Sequence, residues 1–153
     1  MERLESRSAA ETRRRAGMIL RKLLPLGRRP LILALDGDLG SGKTTFIQGL
    51  AHSLGIRGRT KSPTFVLMKW YDILPRRRRT LLYRHLIHAD AYRIGTIAEA
   101  RRLGFAEVFS DPNAIVVVEW ADRIRKLVPQ SAVWIRFRHG GHPHERILKI
   151  SNL

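Results

Sequence analysis

The 153-residue chain contains no cysteine, which excludes a disulfide framework and a thiolate metal site and is compatible with a reducing cytoplasm. Long apolar runs are also missing. The stretch Ile115 to Val118 is far shorter than the roughly 20 residues of a membrane-spanning helix. The charged start (Glu2, Arg3, Glu5, Arg7), and the break of Met18 to Leu26 by Arg21 and Lys22, argue against a secretory signal. The expectation is a cytoplasmic protein without membrane contact. Acidic residues are scarce: 13 against 29 lysines and arginines, a formal charge of +16. That imbalance suits a polyanionic partner such as RNA, although a basic proteome or an acidic protein partner would account for it as well.

What is present begins with Leu31 to Leu54. An apolar run, Leu31 to Leu35, meets Gly37-Asp38-Leu39-Gly40-Ser41-Gly42-Lys43-Thr44, and Phe46, Ile47, Leu50, Ala51 and Leu54 follow at helical spacing. The eight middle residues match G-x-x-x-x-G-K-[ST] without a mismatch. Glycines let backbone N–H groups turn inward around an anion, and the helix start adds its dipole and unpaired donors. In that motif Lys43 reaches the β- and γ-phosphates and the Thr44 hydroxyl serves Mg²⁺. The motif with its flanking strand and helix predicts a nucleoside-triphosphate site. An N-K-x-D base-reading motif is absent, since the only asparagines are Asn113 and Asn152, and this disfavours a GTPase.

Ser8-Ala9-Ala10-Glu11 predicts a capping box for a helix from Ala9 to about Leu24, stopped by Pro25, Gly27 and Pro30. Gly55 is a C-terminal stop for the P-loop helix. Val66 to Ile73 and Thr80 to Asp90 are expected as paired strands around an arginine-rich turn, Pro75 to Arg79. Ala98 to Leu103 suggests a short helix. Ile115 to Glu119 has the pattern of a strand buried on both faces, and Val133 to Arg138 with Arg146 to Ile150 suggests a closing hairpin. The expected fold is a single α/β domain over residues 1–153, P-loop NTPase-like. Its mixed central sheet is flanked by helices and antiparallel hairpins, and residues 1–7 and 76–79 are expected to be flexible.

A P-loop needs a second acid for the cation, normally at the end of an apolar strand. Glu119 is the cleaner candidate; Asp90 ends a strand interrupted by His88. Thr64, on the loop after the P-loop helix, is placed to sense a γ-phosphate. His139, His142 and His144 fall on the expected hairpin turn and suggest a solvated tip rather than zinc. Trp70, Trp120 and Trp134 are expected to be core or sheet-face aromatics, with Trp120 also a nucleotide neighbour.

Together GDLGSGKTT (37–45), Ser62-Pro63-Thr64-Phe65, His88-Ala89-Asp90-Ala91-Tyr92-Arg93 and Glu119-Trp120 resemble the TsaE (YjeE) family, small bacterial ATPases of tRNA threonylcarbamoyladenosine synthesis. The resemblance implies ATP and Mg²⁺ held by Asp38, Leu39, Gly40, Ser41, Gly42, Lys43, Thr44, Thr45 and Trp120, with Thr44 and Glu119 serving the metal. It implies catalytic roles for Lys43, Thr64, Asp90 and Glu119. It further implies partnership with TsaD and TsaB, contact with tRNA indirectly or through the arginine-rich segments, and weak hydrolysis without those partners. Ala91 stands where the family usually has a larger apolar residue, and the arginine turn is not a family hallmark. The alternatives are a small-molecule kinase and a nucleotide-gated RNA-binding module.

Overall fold

A computed structural model describes residues 1–24, 29–56, 67–74 and 83–152. One seven-stranded mixed sheet organises them. Its strands are β1 (Glu2–Ser6), β2 (Leu31–Asp36), β3 (Met68–Asp72), β4 (His85–Asp90), β5 (Ala114–Glu119), β6 (Val133–His139) and β7 (Arg146–Ser151), in the order β1-β7-β6-β2-β5-β4-β3. The centre is parallel: β2 lies between β5 and β6, and β4 continues beyond β5. Antiparallel pairs close both ends, β3 on β4 at one side and β6-β7-β1 at the other. The apolar runs predicted as buried strands are so: every residue of β5 is buried, as are Leu31 to Leu35 of β2.

Within the lead 1–7, Glu2 to Ser6 pairs along its whole length with β7 as an edge strand. Its Leu4 packs on the core while Arg3 and Glu5 face outward. Ser6 is buried against Thr12, their hydroxyls 2.7 Å apart. The arginine turn at 76–79 lies outside the described residues.

Helix α1 (Ala9–Leu23) starts at Ser8, whose hydroxyl accepts the Glu11 N–H at 3.1 Å. The reciprocal half of the expected capping box differs: the Glu11 carboxylate accepts from the Arg7 N–H, one residue earlier, at 2.9 Å. That bond, and then Arg15, hold the Glu11 carboxyl below its ordinary range. Helix α2 (Lys43–Ser53) ends at Gly55 with φ +76; Gly55 N–H bonds His52 O and Ile56 N–H bonds Ala51 O, the two bonds of a Schellman motif.

α1 and α2 cover one face of the sheet and share a core with Leu33, Leu35, Val117, Ile135, Phe137, Leu148 and Ile150. They approach backbone to backbone at Gly49, where an added Cβ would lie 2.4 Å from Arg13 O and 2.9 Å from the Ala16 Cβ. The opposite face is covered at its centre by α3 (Ile97–Arg102), by α4 (Phe105–Val108), a single turn with no counterpart in the sequence reading, and by a 3-10 turn (Ala121–Ile124).

Candidate functional site

The site lies at the carboxyl ends of β2, β5 and β4, where an open parallel sheet places its crevice. β2 delivers the chain to the loop 37–42, and α2 begins at Lys43. Gly37, Gly40 and Gly42 have φ of +141, +73 and +101. Gly37 has no room for a side chain, because a Cβ there would sit 2.5 Å from Phe137 O. No side chain caps the start of α2, so its first N–H groups stay available to an anion. The Ser41 hydroxyl is fully buried with no partner among the described residues. A buried donor of this kind, under a loop of left-handed glycines, fits a phosphate oxygen.

Lys43 is buried at 5% exposure. Its ammonium donates to the carbonyls of Gly37 and Asp38, the latter at 2.9 Å, and lies 3.9 Å from the centre of the Trp120 ring. Burial pushes its pKa below the usual lysine value, against the opposing pull of Glu119, Asp36, Asp38 and Asp90. Trp120 sits at φ +58, a left-handed conformation uncommon for a bulky residue, which turns its indole back over the lysine. Tyr92 packs on Trp120 at 5.0 Å, and the Arg123 guanidinium lies 5.0 Å from Tyr92.

Parallel pairing sets Asp90 and Glu119 side by side in register, and both are buried. The Thr44 hydroxyl donates to Glu119, 3.1 Å from Oε2. Hard oxygen donors of this kind suit Mg²⁺, so the pair fits the cation expected beside a triphosphate. Asp90 Oδ1 accepts the Tyr92 N–H at 2.9 Å and thereby shapes the turn after β4.

The structure therefore gathers Leu39, Gly40, Ser41, Gly42, Lys43, Thr44, Thr45, Asp90, Glu119 and Trp120 around one cavity of about 420 Å³. Asp38 contributes its carbonyl to Lys43 from the exposed crest of the loop. Thr64 lies outside the described residues. Two further residues were not singled out from sequence. His88, read as an interruption of β4, is wholly buried, and its Nε2 lies 2.8 Å from Glu119 Oε1. The carboxylate accepts, so Nε2 carries the proton, and Nδ1 has no partner among the described residues. The signal was available: His88 shares its strand face with Leu86 and Asp90. Arg146 begins β7 and donates to Gly40 O at 3.2 Å and to Pro143 O at 2.7 Å, tying the closing hairpin to the P-loop. No local pattern marks a residue so distant in sequence.

Comparison with known proteins agrees with this geometry. The family profile described as "Threonylcarbamoyl adenosine biosynthesis protein TsaE" matches residues 6–147. The chain is 37% identical over 118 residues to the tRNA threonylcarbamoyladenosine biosynthesis protein TsaE of Bacillus subtilis, covering 76% of this chain and 66% of that protein. The protein of the same name from Treponema pallidum is 35% identical over 136 residues, covering 89% of this chain and 90% of the relative. The crystal structure of Bacillus subtilis YdiB superposes with a TM-score of 0.72 at 29% identity, over 97% of this chain and 83% of that one. The family match over residues 6–147 and these relatives show that the chain belongs to the TsaE family of tRNA threonylcarbamoyladenosine biosynthesis.

Proposed function

We propose that this protein is a Mg²⁺-dependent ATPase that serves, with TsaD and TsaB, the enzyme complex placing threonylcarbamoyl on the tRNA adenosine next to the anticodon. The observation that carries the reading is the meeting of Thr44 and Glu119 at 3.1 Å beneath a left-handed glycine loop. The loop amides, the Ser41 hydroxyl and Lys43 would bind the phosphates; Thr44 and Glu119 would hold Mg²⁺, which neutralises phosphate charge when bound. Trp120 and Tyr92 line one side of the cavity, their rings in contact. Asp90, buried beside Glu119, would orient the attacking water, with Thr64 as the γ-phosphate sensor implied by the family resemblance.

In the proposed division of labour TsaD performs the transfer, and hydrolysis here resets the complex for another cycle. The test is reconstitution with TsaD and TsaB homologues, following modified tRNA and ADP. Wild type should support repeated cycles, and Lys43→Ala should lose nucleotide binding while its thermal unfolding stays cooperative. Phosphate appearing on a nucleoside or sugar rather than in water would assign a kinase. Undiminished hydrolysis by Lys43→Ala would sink the site.

A further inference from the structure

On the sheet face opposite α1 and α2, no helix packs over β6, β7 and β1 among the described residues. The side chains there form a pattern that no run in the sequence reveals. Arg136 of β6, Lys149 of β7 and Arg3 of β1 stand directly opposite one another in register, a row of three cations across three strands. With strands about 4.8 Å apart, the row spans close to 10 Å. Arg138 extends it along β6, and Arg125 lies 4.7 Å from the ring of Trp134 at its inner end. Like charges directly opposite in a sheet are destabilising, so such a row has a cost that folding alone does not explain. The acids on this face, Glu5 and Asp36, pair at 2.8 Å with Arg3 and Arg136 and leave both arginine side chains more than half exposed. Arg138 and Lys149 have no acidic partner among the described residues.

We infer that this uncovered face of β6-β7-β1 is a docking surface for the phosphate backbone of a folded RNA. The charge is of the complementary sign, and the surface is a broad sheet rather than a groove, matching recognition by shape and phosphate contact. Its position gives the contact a use. Asp36, which holds Arg136, is the last residue of β2 before the P-loop, and Arg146 joins the far end of the same hairpin to Gly40. RNA lying on this face would abut the nucleotide site. The arginines of α1 make a poorer surface: Arg13, Arg14 and Arg15 point in different directions, and Arg15 is paired with Glu11. The choice of tRNA as probe rests on the pathway of the family and not on ATP hydrolysis.

The experiment compares two triple variants of equal net charge. One removes the face (Arg3→Gln, Arg138→Gln, Lys149→Gln); the other removes three exposed cations of α1 (Arg13→Gln, Arg14→Gln, Arg21→Gln). Binding to labelled tRNA is followed by fluorescence anisotropy across a salt series, and nucleotide binding is measured on the same preparations. The face variant should bind tRNA at least about tenfold more weakly, with a salt slope lower by about 2 to 3, at roughly 0.7–0.9 per phosphate contact. The α1 variant should stay within about twofold of wild type, and both should bind nucleotide normally. Equal losses in both variants would mean attraction by net charge and overturn the proposal. So would unchanged tRNA binding by the face variant, including the case in which it loses binding to TsaD or TsaB, which would reassign the face to a protein partner. Failure of nucleotide binding in wild type would instead count against the ATPase reading alone.

Discussion

Gly49 sets two effects of opposite sign against each other. As an interior residue of α2, its replacement by alanine should stabilise the helix by about 0.8–1.0 kcal/mol on propensity alone. The crossing with α1 opposes this. A Cβ at Gly49 meets Arg13 O at 2.4 Å and Arg13 Cα at 2.6 Å, both backbone atoms that cannot rotate away. Forcing such a contact moves the two helices apart and costs typically about 1–3 kcal/mol, more where the core cannot shift. Packing therefore wins, by up to about 2 kcal/mol, and with roughly 2–4 °C per kcal/mol for a domain of this size the midpoint should fall by several degrees. Gly17→Ala is the internal control. Its Cβ meets the Ser53 hydroxyl at 2.4 Å, a side chain that can turn away by giving up its 2.9 Å bond to Gly49 O. Its cost is one exchanged hydrogen bond of about 1 kcal/mol, offset by the same helix gain, so it should be near neutral. Urea and thermal melts of both variants decide the matter. A Gly49→Ala protein as stable as wild type, or less affected than Gly17→Ala, would refute the argument from the crossing.

Burial lowers the Lys43 pKa, so the unfolded chain binds this proton more tightly than the folded one, and stability rises with pH between the folded value and that of a free lysine. Relative to Lys43→Met, wild type should gain stability in urea melts as the pH rises toward the value of a free lysine; a flat or falling difference would contradict the assigned burial cost. His88→Leu removes the donor that orients Glu119 and should weaken the Mg²⁺ dependence of nucleotide binding by about 10–100-fold, while His88→Gln, which keeps a donor, should recover much of it. Equal behaviour of the two variants in a Mg²⁺ titration would show that His88 merely fills space.

The features legible in sequence were those written in local order. The glycine loop, the continuous apolar strand ending in Glu119 and the cap at Ser8 each carry their signal within a few residues. β1 did not, because two of its three core-side positions, Glu2 and Ser6, are polar, and only pairing with β7 makes it a strand. The turn Phe105 to Val108 is too short to show a period. At the site, Lys43, Thr44 and Glu119 were identifiable from their motifs, whereas His88 looked like a flaw in β4 until its partner on β5 came into view. Arg146, and the cation row of residues 3, 136, 138 and 149, are products of register alone.

The placement of the acids has a kinetic consequence. In a chain with only 13 carboxylates against 29 basic residues, three of them, Asp36, Asp90 and Glu119, stand at the carboxyl ends of neighbouring strands. On the proposed ATPase reading, the excess of positive charge would favour the approach of a polyphosphate, which at the site would meet the carboxylates of Asp90 and Glu119 that Mg²⁺ would neutralise. Arrival and capture are thereby separated. Added salt should slow the encounter by screening the outer field and leave the departure rate, set by short contacts beneath the loop, nearly unchanged.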